Sequence, residues 1–263
     1  SSAPAAAQTE VATPVISEII VTAQRREERL LDTPISIGVL SGEALDQSSS
    51  RGVSDIVNRI SGVTIREVQP GNTTIAIRGV VPSLGTSTAG YYLDEIPFAF
   101  ITNAQLPDAN AYDLARVEVL RGPQGTLYGA NALSGVVRVV TNDANLQASE
   151  LKARARTSST RHGSGNHGGD LAVNIPLIEG RLAVRGVASY SDLSGFIRST
   201  FDGERKINDT TAQSYRIKVN FQATDALELK FGYARSDIEN GATYMTAGVL
   251  WGVDLGMPAV APV

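Results

Sequence analysis

Few residues of this chain could carry out covalent chemistry. Its 263 residues contain no cysteine and two histidines, His162 and His167, in a glycine-rich stretch whose nearest carboxylate is Asp170. Such a stretch offers too few ligands for a metal site, and no nucleophile is paired with a base. The segment from Gly122 to Gly129 lacks the Gly-Lys-Ser/Thr of a phosphate-binding loop. The sequence therefore predicts neither an enzyme nor a bound cofactor.

One pair of adjacent carboxylates, Asp94 and Glu95, could in principle form an acid–base pair. They lie on a segment with the pattern of extended chain, in which successive side chains point to opposite sides. The two carboxylates therefore cannot act together on one substrate. We expect both of them to be solvated residues of a turn.

A segment near the N-terminus could bind a partner. Its residues Ile19, Ile20, Val21 and Thr22 favour an extended backbone. Residues 1–16 before them are rich in Ala, Pro, Ser and Thr and are expected to be disordered. An extended segment next to a disordered stretch of chain can pair as an added strand with the edge of a partner's sheet. The alternative is that this run forms the first strand of the following domain.

Composition excludes several classes of protein. The formal net charge is −4 and no basic stripe is present, which argues against a nucleic-acid partner. The absence of cysteine excludes a disulfide framework. No run of 18 apolar residues is present that could form a membrane-spanning helix.

Residues 24–145 are predicted to form a compact α+β domain. Apolar residues recur at i, i+3, i+4 and i+7 from residue 53 to residue 60 and predict a helix, with Gly62 as its C-terminal cap. Short strands separated by glycine and proline turns are predicted at 35–40, 74–78, 91–93, 116–120 and 136–141.

From Leu151 onward the pattern changes to a period of two. Polar and apolar residues alternate in five successive segments, at 151–157, 170–177, 182–190, 215–222 and 227–233. Their connections are alternately long and polar, at 158–169 and 191–213, and tight, at 178–180 and 224–226. Long outer loops and short periplasmic turns are typical of outer-membrane β-barrels. The alternative is a soluble antiparallel sandwich with one face in a core.

Basic residues on the polar face of these strands favour the barrel, because they suit a wet or plugged lumen better than a dry core. Five strands cannot close a barrel, since an open edge in lipid leaves backbone groups without partners. We therefore expect residues 146–263 to be the first strands of a larger antiparallel transmembrane barrel, in a protein of which this sequence is a part.

The longest motif points to a family. Residues 115–141 contain a strand, an Arg-Gly-Pro turn, Leu-Tyr-Gly, small residues, a glycine and a final apolar strand. They are similar throughout to the plug-domain signature of TonB-dependent outer-membrane receptors. Residues 75–79 resemble that family's Ile-Arg-Gly strand end, and 91–97 resemble its Asp-Gly turn, with Glu95 where glycine is common. Arg138 stands where asparagine is usual. The signature positions are Gly79, Asp94, Arg116, Glu118, Gly122, Pro123, Tyr128, Gly129 and Gly135.

The resemblance implies an α+β plug inside a barrel of about 22 strands, in the outer membrane of a Gram-negative bacterium with the plug facing the periplasm. Residues 17–23 are similar to the family's TonB box, so the TonB-binding residues would be Ser17, Glu18, Ile19, Ile20, Val21, Thr22 and Ala23. The arginines of the family's two Arg-Gly motifs pair with barrel glutamates. Here they are Arg78 and Arg121, with partners expected beyond Val263.

The implied function is active uptake of a scarce solute such as a ferric siderophore, a carbohydrate or another small nutrient. The expected partners are TonB, outer-membrane lipid and the solute, with no nucleic acid. We expect the solute at apical loops 81–90 and 98–106, with contacts from Phe98, Phe100, Asn103 and Gln105. With 16 residues ahead of Ser17, a signalling member with an extra domain is disfavoured. The remaining alternatives are a non-transport surface barrel and a soluble β-sandwich binding module.

Overall fold

The computed structural model describes residues 20–21, 28–29, 35–46, 52–69, 72–81, 87–98, 111–129, 131–197 and 208–241. The chain divides into two compact units, Ser1–Pro34 and Ile35–Val263. In the first unit, β1 (Ile20–Val21) pairs antiparallel with β2 (Glu28–Arg29). The predicted disordered segment, 1–16, lies outside the described residues. No helix in the described ranges is long and apolar enough to cross a membrane.

The second unit begins with a globule, defined here as residues 35–141. Its elements in chain order are β3 (Ile37–Ser41), α1 (Gly42–Asp46), α2 (Val53–Val57), β4 (Val63–Gln69), β5 (Asn72–Ile77), β6 (Ala89–Leu93), β7 (Ile96–Phe98), β8 (Leu114–Arg121), α3 (Gly125–Tyr128) and β9 (Gly135–Thr141). Five strands form one sheet in the order β3-β8-β9-β6-β7, and β4 pairs with β5 in a separate hairpin. All contacts in the larger sheet are antiparallel except the parallel pair β6–β9.

The centre of the globule is an apolar core on one face of β8 and β9. Val117, Val119 and Val137 are fully buried there, at alternate positions of strands whose opposite face carries Glu118 and Arg138. Helix α2 adds Ile56 and Val57 to the same core. The five predicted strands of this region are confirmed within a few residues, whereas β4 and β7 were not predicted.

The predicted helix exists but is shorter than its apolar period suggested, and the assignment of its cap was wrong. It ends at Val57 with Asn58 as the C-cap. The Asn58 side chain accepts a hydrogen bond from Ile65 N at 2.7 Å and donates one to Ile65 O at 3.0 Å, which fastens the helix end to β4. Gly62 instead takes a φ of 78° in the turn that leads into β4, a conformation that glycine adopts without strain.

The rest of the second unit is a single antiparallel sheet, called the wall below. Its strands are β10 (Glu150–Ser159), β11 (Gly165–Ile178), β12 (Leu182–Leu193), β13 (Thr210–Thr224) and β14 (Leu227–Asn240), paired in chain order. All five predicted segments are confirmed, and each strand is longer than its alternating stretch. The tight turns between β11 and β12 and between β13 and β14 are also confirmed.

The prediction of a long loop at 158–169 was wrong. β10 and β11 stay paired up to Ser159 and Gly165, so the connection is limited to residues 160–164. Hydrogen bonds from Thr160 N to Ser164 O and from Gly163 N to Thr160 O close it. Glycine, serine and histidine gave this stretch the composition of a loop, although its backbone continues the ladder. The second long connection is present at 194–209, shorter than predicted.

Candidate functional site

The wall buries its polar face and exposes its apolar face, the reverse of a soluble sheet. Its buried polar side chains include Asp170, Asn174, Arg185, Ser189, Arg216 and Asn220. Its exposed apolar side chains include Leu171, Ile175, Leu177, Tyr215, Ile217 and Phe221. A soluble sandwich requires the opposite orientation, so this arrangement contradicts that alternative. The polar face closes on the globule, and this interface is the candidate site.

A bidentate ion pair joins the globule to the middle of the wall. Asp113, just before β8, accepts hydrogen bonds from Arg185 Nε at 2.7 Å and Nη2 at 2.6 Å. Arg185 Nη1 contacts Glu150 at 3.0 Å, at the start of the wall. The side chains of Arg185 and Asp113 are 3% and 1% exposed. Two parallel N–H···O bonds fix the relative orientation of the groups as well as their distance.

Tyr112 extends this contact over further strands of the wall. Its ring packs with Ala172 and Val187, and the guanidinium of Arg154 lies 4.7 Å from the ring centroid, in range of a cation–π interaction. The carbonyl oxygen of Tyr112 accepts a hydrogen bond from Arg216. Tyr112 and Asp113 together thus contact four strands of the wall, β10 to β13.

A lysine on β13 forms the second contact region. Lys218 Nζ lies 3.0 Å from Asp94 Oδ2 and 2.9 Å from Asp143 Oδ1, and it donates to Thr141 O at 3.3 Å. Lys230 Nζ contacts the other oxygen of Asp143 at 2.9 Å. Partial burial alone would raise the pKa of the Asp143 carboxyl, but the hydrogen bonds from the two lysines outweigh it and hold that pKa below its usual value.

Asp94 was wrongly expected to be a solvated turn residue. Besides Lys218, its carboxylate accepts hydrogen bonds from the backbone N–H of Thr141 at 2.8 Å and from the Thr141 hydroxyl. The residue has a φ of 53°, in the left-handed region that aspartate adopts more readily than most side chains. Asp94 therefore holds the β6–β7 turn against both the end of β9 and the wall.

Glu95 also has a partner, although its side chain is 69% exposed. Its carboxylate pairs with Arg138, whose Nη1 contacts the buried Glu118 at 2.8 Å. Arg116 Nε contacts the other oxygen of Glu118 at 2.6 Å. Burial alone would lower the pKa of Arg138, but the nearby charges, first that of Glu118, raise it overall. The two positions that depart from the family pattern, 95 and 138, are thus in direct contact.

The two arginines predicted to hold the plug in the barrel, Arg78 and Arg121, are not among the contacts between globule and wall described above. Arg121 Nη1 is 3.4 Å from Ser36 Oγ, and its guanidinium lies so close to Gly38 that a Cβ there would be 2.8 Å from Nη2. Arg78 is exposed with a φ of 53°. The predicted pairing of both arginines with glutamates beyond Val263 stays a prediction.

The remaining predicted residues are only partly described. Of the seven residues 17–23, the structure describes Ile20 and Val21, which form β1 and pair with β2. Phe98 is half-buried, and its ring packs edge-on against Tyr91 at 6.4 Å. Phe100, Asn103 and Gln105 lie outside the described residues. The TonB and solute contacts therefore stay predictions.

Among the signature residues, Tyr128 and Gly135 have a clear structural role. Tyr128 is buried, and its carbonyl oxygen accepts a hydrogen bond from the Tyr92 hydroxyl at 2.6 Å. Gly135 has a φ of 149°, and a Cβ there would overlap the carbonyl oxygen of Leu120. Only glycine lets β9 begin this close to β8.

Sequence reasoning missed Asp113, Arg185, Lys218 and Asp143 as interface residues. One available signal was a charged residue near the middle of a strand predicted to span the membrane, which is by default a functional candidate. Arg185 and Lys218 satisfy it. Nothing in the sequence indicated which carboxylates they would meet.

Comparison with known proteins agrees with this geometry. The family model described as the TonB-dependent Receptor Plug Domain matches residues 29–136. These residues belong to the plug domain of TonB-dependent receptors. Residues 35–141 are accordingly called the plug from this point. An iron-regulated outer membrane virulence protein of Vibrio cholerae is 28% identical over 246 residues, which cover 87% of this chain and 35% of that protein.

Other relatives and solved structures support the same fold. The vitamin B12 transporter of Vibrio vulnificus is 25% identical over 135 residues, covering 47% of this chain and 20% of its own length. The ferripyoverdine receptor of Pseudomonas aeruginosa, bound to ferripyoverdine, superposes with a TM-score of 0.69 at 20% identity, over 85% of this chain and 28% of that one. The ferric yersiniabactin uptake receptor of Yersinia pestis gives 0.64 at 22% identity, over 78% and 32%. The chain thus spans about a third of the first curated relative.

Replacing Arg185 with Gln should loosen the plug from the wall. The change leaves the buried Asp113 carboxylate without its bidentate partner, which typically costs about 3–5 kcal/mol. Hydrogen exchange at the amides of β8 in the intact receptor measures the effect. The control is Arg235→Gln, which removes an exposed pair with Asp237 on β14. Equal exchange in the two variants would contradict the role of Arg185.

Glu95 and Arg138 should prove energetically coupled. Arg138→Asn alone removes one of the cations beside the buried Glu118, whereas Glu95→Gly alone removes an exposed ligand of Arg138. In a double-mutant cycle, we expect an interaction energy near the lower end of the roughly 0.5–3 kcal/mol that residues in one charge network show, because the Glu95 side chain is 69% exposed. Hydrogen exchange gives the opening free energies of the β9 amides in the wild type, the two single variants and the double variant. Strict additivity would show that the two departures are independent.

The linker after β9 should loosen in acid. Because the pKa of Asp143 is lowered on folding, its stabilising contribution is present above the unfolded value of about 4 and is lost as pH falls below it. Exchange at residues 142–149, corrected for the intrinsic rate, should therefore rise in that range. Asp143→Asn should be loose already at pH 7 and respond less to acid. Asp225→Asn, in the exposed β13–β14 turn, is the matched control, and an identical acid response in all three proteins argues against this contribution.

Proposed function

We propose that this protein is an outer-membrane transporter that takes up a scarce solute, most readily a ferric siderophore, with energy delivered by TonB. The observation that carries the proposal is the orientation of the wall. Its charged face is buried against a plug of the receptor family, and its apolar face points outward. This is the arrangement needed where the surroundings are lipid and the lumen is filled by protein.

The dimensions of the strands support a membrane location. β11 and β14 each have 14 residues, which corresponds to about 46 Å at roughly 3.3 Å per residue. A strand tilted by about 45° would then rise about 33 Å, enough to cross an apolar band of about 25 Å. Tyr190, Tyr215 and Tyr233 are exposed on three adjacent strands, offset by two residues from strand to strand in the register. They suit the aromatic girdle at one membrane interface.

The direction of the plug strands supports placing the solute opposite the linker. β9 ends at Thr141, where the chain passes to the wall, and β6 runs parallel to β9. The start of β6 and the end of the antiparallel β7 therefore lie at the opposite end of the strands from Thr141. The predicted apical loops 81–90 and 98–106 adjoin these two strand ends in the sequence. Solute binding by Phe98, Phe100, Asn103 and Gln105 is assigned to this side.

Energy must enter from outside the receptor, because the plug is held by buried ion pairs that solute binding alone would have to break. Residues 17–23 supply the attachment point for TonB, since β-branched residues favour the extended backbone of strand addition. Solute binding must favour the state in which this segment is available, because a ligand shifts an equilibrium only by its differential affinity.

The relatives guide the choice of solute. Their names include an iron-regulated virulence protein, a ferripyoverdine receptor and vitamin B12 transporters. Ferric siderophores are therefore the first class to test, ahead of cobalamins and carbohydrates. The surface-barrel alternative shares the wall but requires no TonB contact.

Replacing Ile20 with Pro should abolish uptake and leave solute binding unchanged, because proline removes a strand donor. Transport of a panel of iron-55 siderophores into cells that carry the full-length receptor is the measurement, with and without TonB. Ala6→Pro, in the segment ahead of the TonB box, is the control and should transport normally. Unchanged uptake in Ile20→Pro would refute the box, and uptake independent of TonB would refute the proposed energy source.

A further inference from the structure

Both ends of the β8–β9 hairpin are fastened to the wall. Its first end is held through Asp113 and Arg185. Its second end, after Thr141, is bound to the first, because Asn142 Nδ2 donates to Asp113 Oδ1 at 2.9 Å. Lys218 binds the carbonyl oxygen of Thr141. The hairpin is therefore closed at its base by contacts that include wall residues on β12 and β13.

The linker that follows the hairpin is bound just as closely. Asn174 of β11 donates to the carbonyl oxygens of Asn145 at 2.9 Å and Ala148 at 2.6 Å, and it accepts from Asn145 N at 2.8 Å. The N–H of Gly180 donates to Leu146 O at 2.9 Å. Asn174 is 1% exposed, so water does not compete for these bonds. Residues 142–149 therefore follow the wall rather than forming a free hinge.

Two elements earlier in the plug, the edge strand β3 and the β6–β7 turn, are held less firmly. β3 is an edge strand of five residues, all partly exposed, and it pairs on one side with β8. The β6–β7 turn contacts the wall through Asp94 and Lys218, whose side chains are 31% and 17% exposed. Pairs that water reaches are weaker than buried, bidentate ones. A pull from the N-terminus meets these weaker contacts before it reaches Asp113.

We propose that residues 112–150 are mechanically part of the barrel wall, and that the segment of plug that yields during transport ends at Tyr112. This inference rests on the proposed TonB-driven function. It places a mechanical boundary inside the domain that the family model matches, 29–136. Arg185 is the positioning residue that sets this boundary. The β8–β9 hairpin stays in the lumen, and the solute passes beside it.

The test pulls the full-length receptor, embedded in a lipid bilayer, from a peptide handle fused ahead of Ser1, in a single-molecule force measurement. The wild type should extend until residue 112 is reached and then arrest. In Arg185→Gln the extension should continue to the start of β10, about 130 Å further at roughly 3.5 Å per residue. Arg235→Gln, on the outer face of β14, should behave as the wild type. The heat-dependent migration of each barrel on a gel verifies that it has folded.

A reversible cross-link separates anchoring from a general loss of stability. The 263 residues contain no cysteine, so Asp113→Cys combined with Arg185→Cys can be joined by a short bis-methanethiosulfonate reagent, which forms one reducible disulfide with each cysteine and releases methanesulfinate. The arrest should be present with the link and lost after reduction. A wild type that releases residues 112–150 in the same step as the rest, or an arrest unchanged by Arg185→Gln, would overturn the boundary. Neither measurement uses TonB, so a failure of the TonB box would leave this result intact.

Discussion

The buried ion pair between Asp113 and Arg185 expresses the constraint on which the rest of the structure depends. A sheet that turns its apolar face outward must enclose its polar face, and enclosed charges are costly unless they are paired. The plug and the linker that follows it supply the missing counter-charges. Asp113 meets Arg185, and Asp94 and Asp143 meet Lys218. Plug and wall are therefore complementary in charge across their interface.

The same constraint operates inside the plug. Glu118 is fully buried in the central strand, which requires cations nearby, and Arg116 and Arg138 provide them. A buried arginine at 138 in turn attracts a further carboxylate, and Glu95 occupies the adjacent turn. Glutamate at 95 and arginine at 138 both depart from the usual residues of the family. Both residues take part in the same charge network around Glu118.

Most of the correct predictions came from hydrophobic periodicity. Burial of one face makes apolar residues recur every two residues in a strand and about every 3.6 residues in a helix. This periodicity located the wall strands, the central plug strands and the helix at Val53. It failed where local composition and tertiary pairing disagree, as in residues 158–169, which look like a loop and continue a ladder. It also could not pair charges. Asp113 and Arg185 are 72 residues apart, and their contact depends on the docking of two independently patterned sheets. Asp94 was misjudged for the same reason, since its partners Thr141 and Lys218 are distant in the chain.

The chemistry of the interface also explains how a plug can be both firm and removable. Separating an apolar interface costs free energy in proportion to the apolar area that becomes exposed to water. Each stage of separation in a water-filled lumen would therefore be unfavourable. The contacts of this interface are mainly hydrogen bonds and ion pairs, for which water can substitute, so each contributes only about 0.5–1.5 kcal/mol net, or up to about 3 where a charge takes part. Pulling can therefore break them one at a time, the weaker, more hydrated ones first. In the opening proposed above, the buried, bidentate pair at Arg185 is the last contact of that series, and its resistance to water sets the limit of the opening.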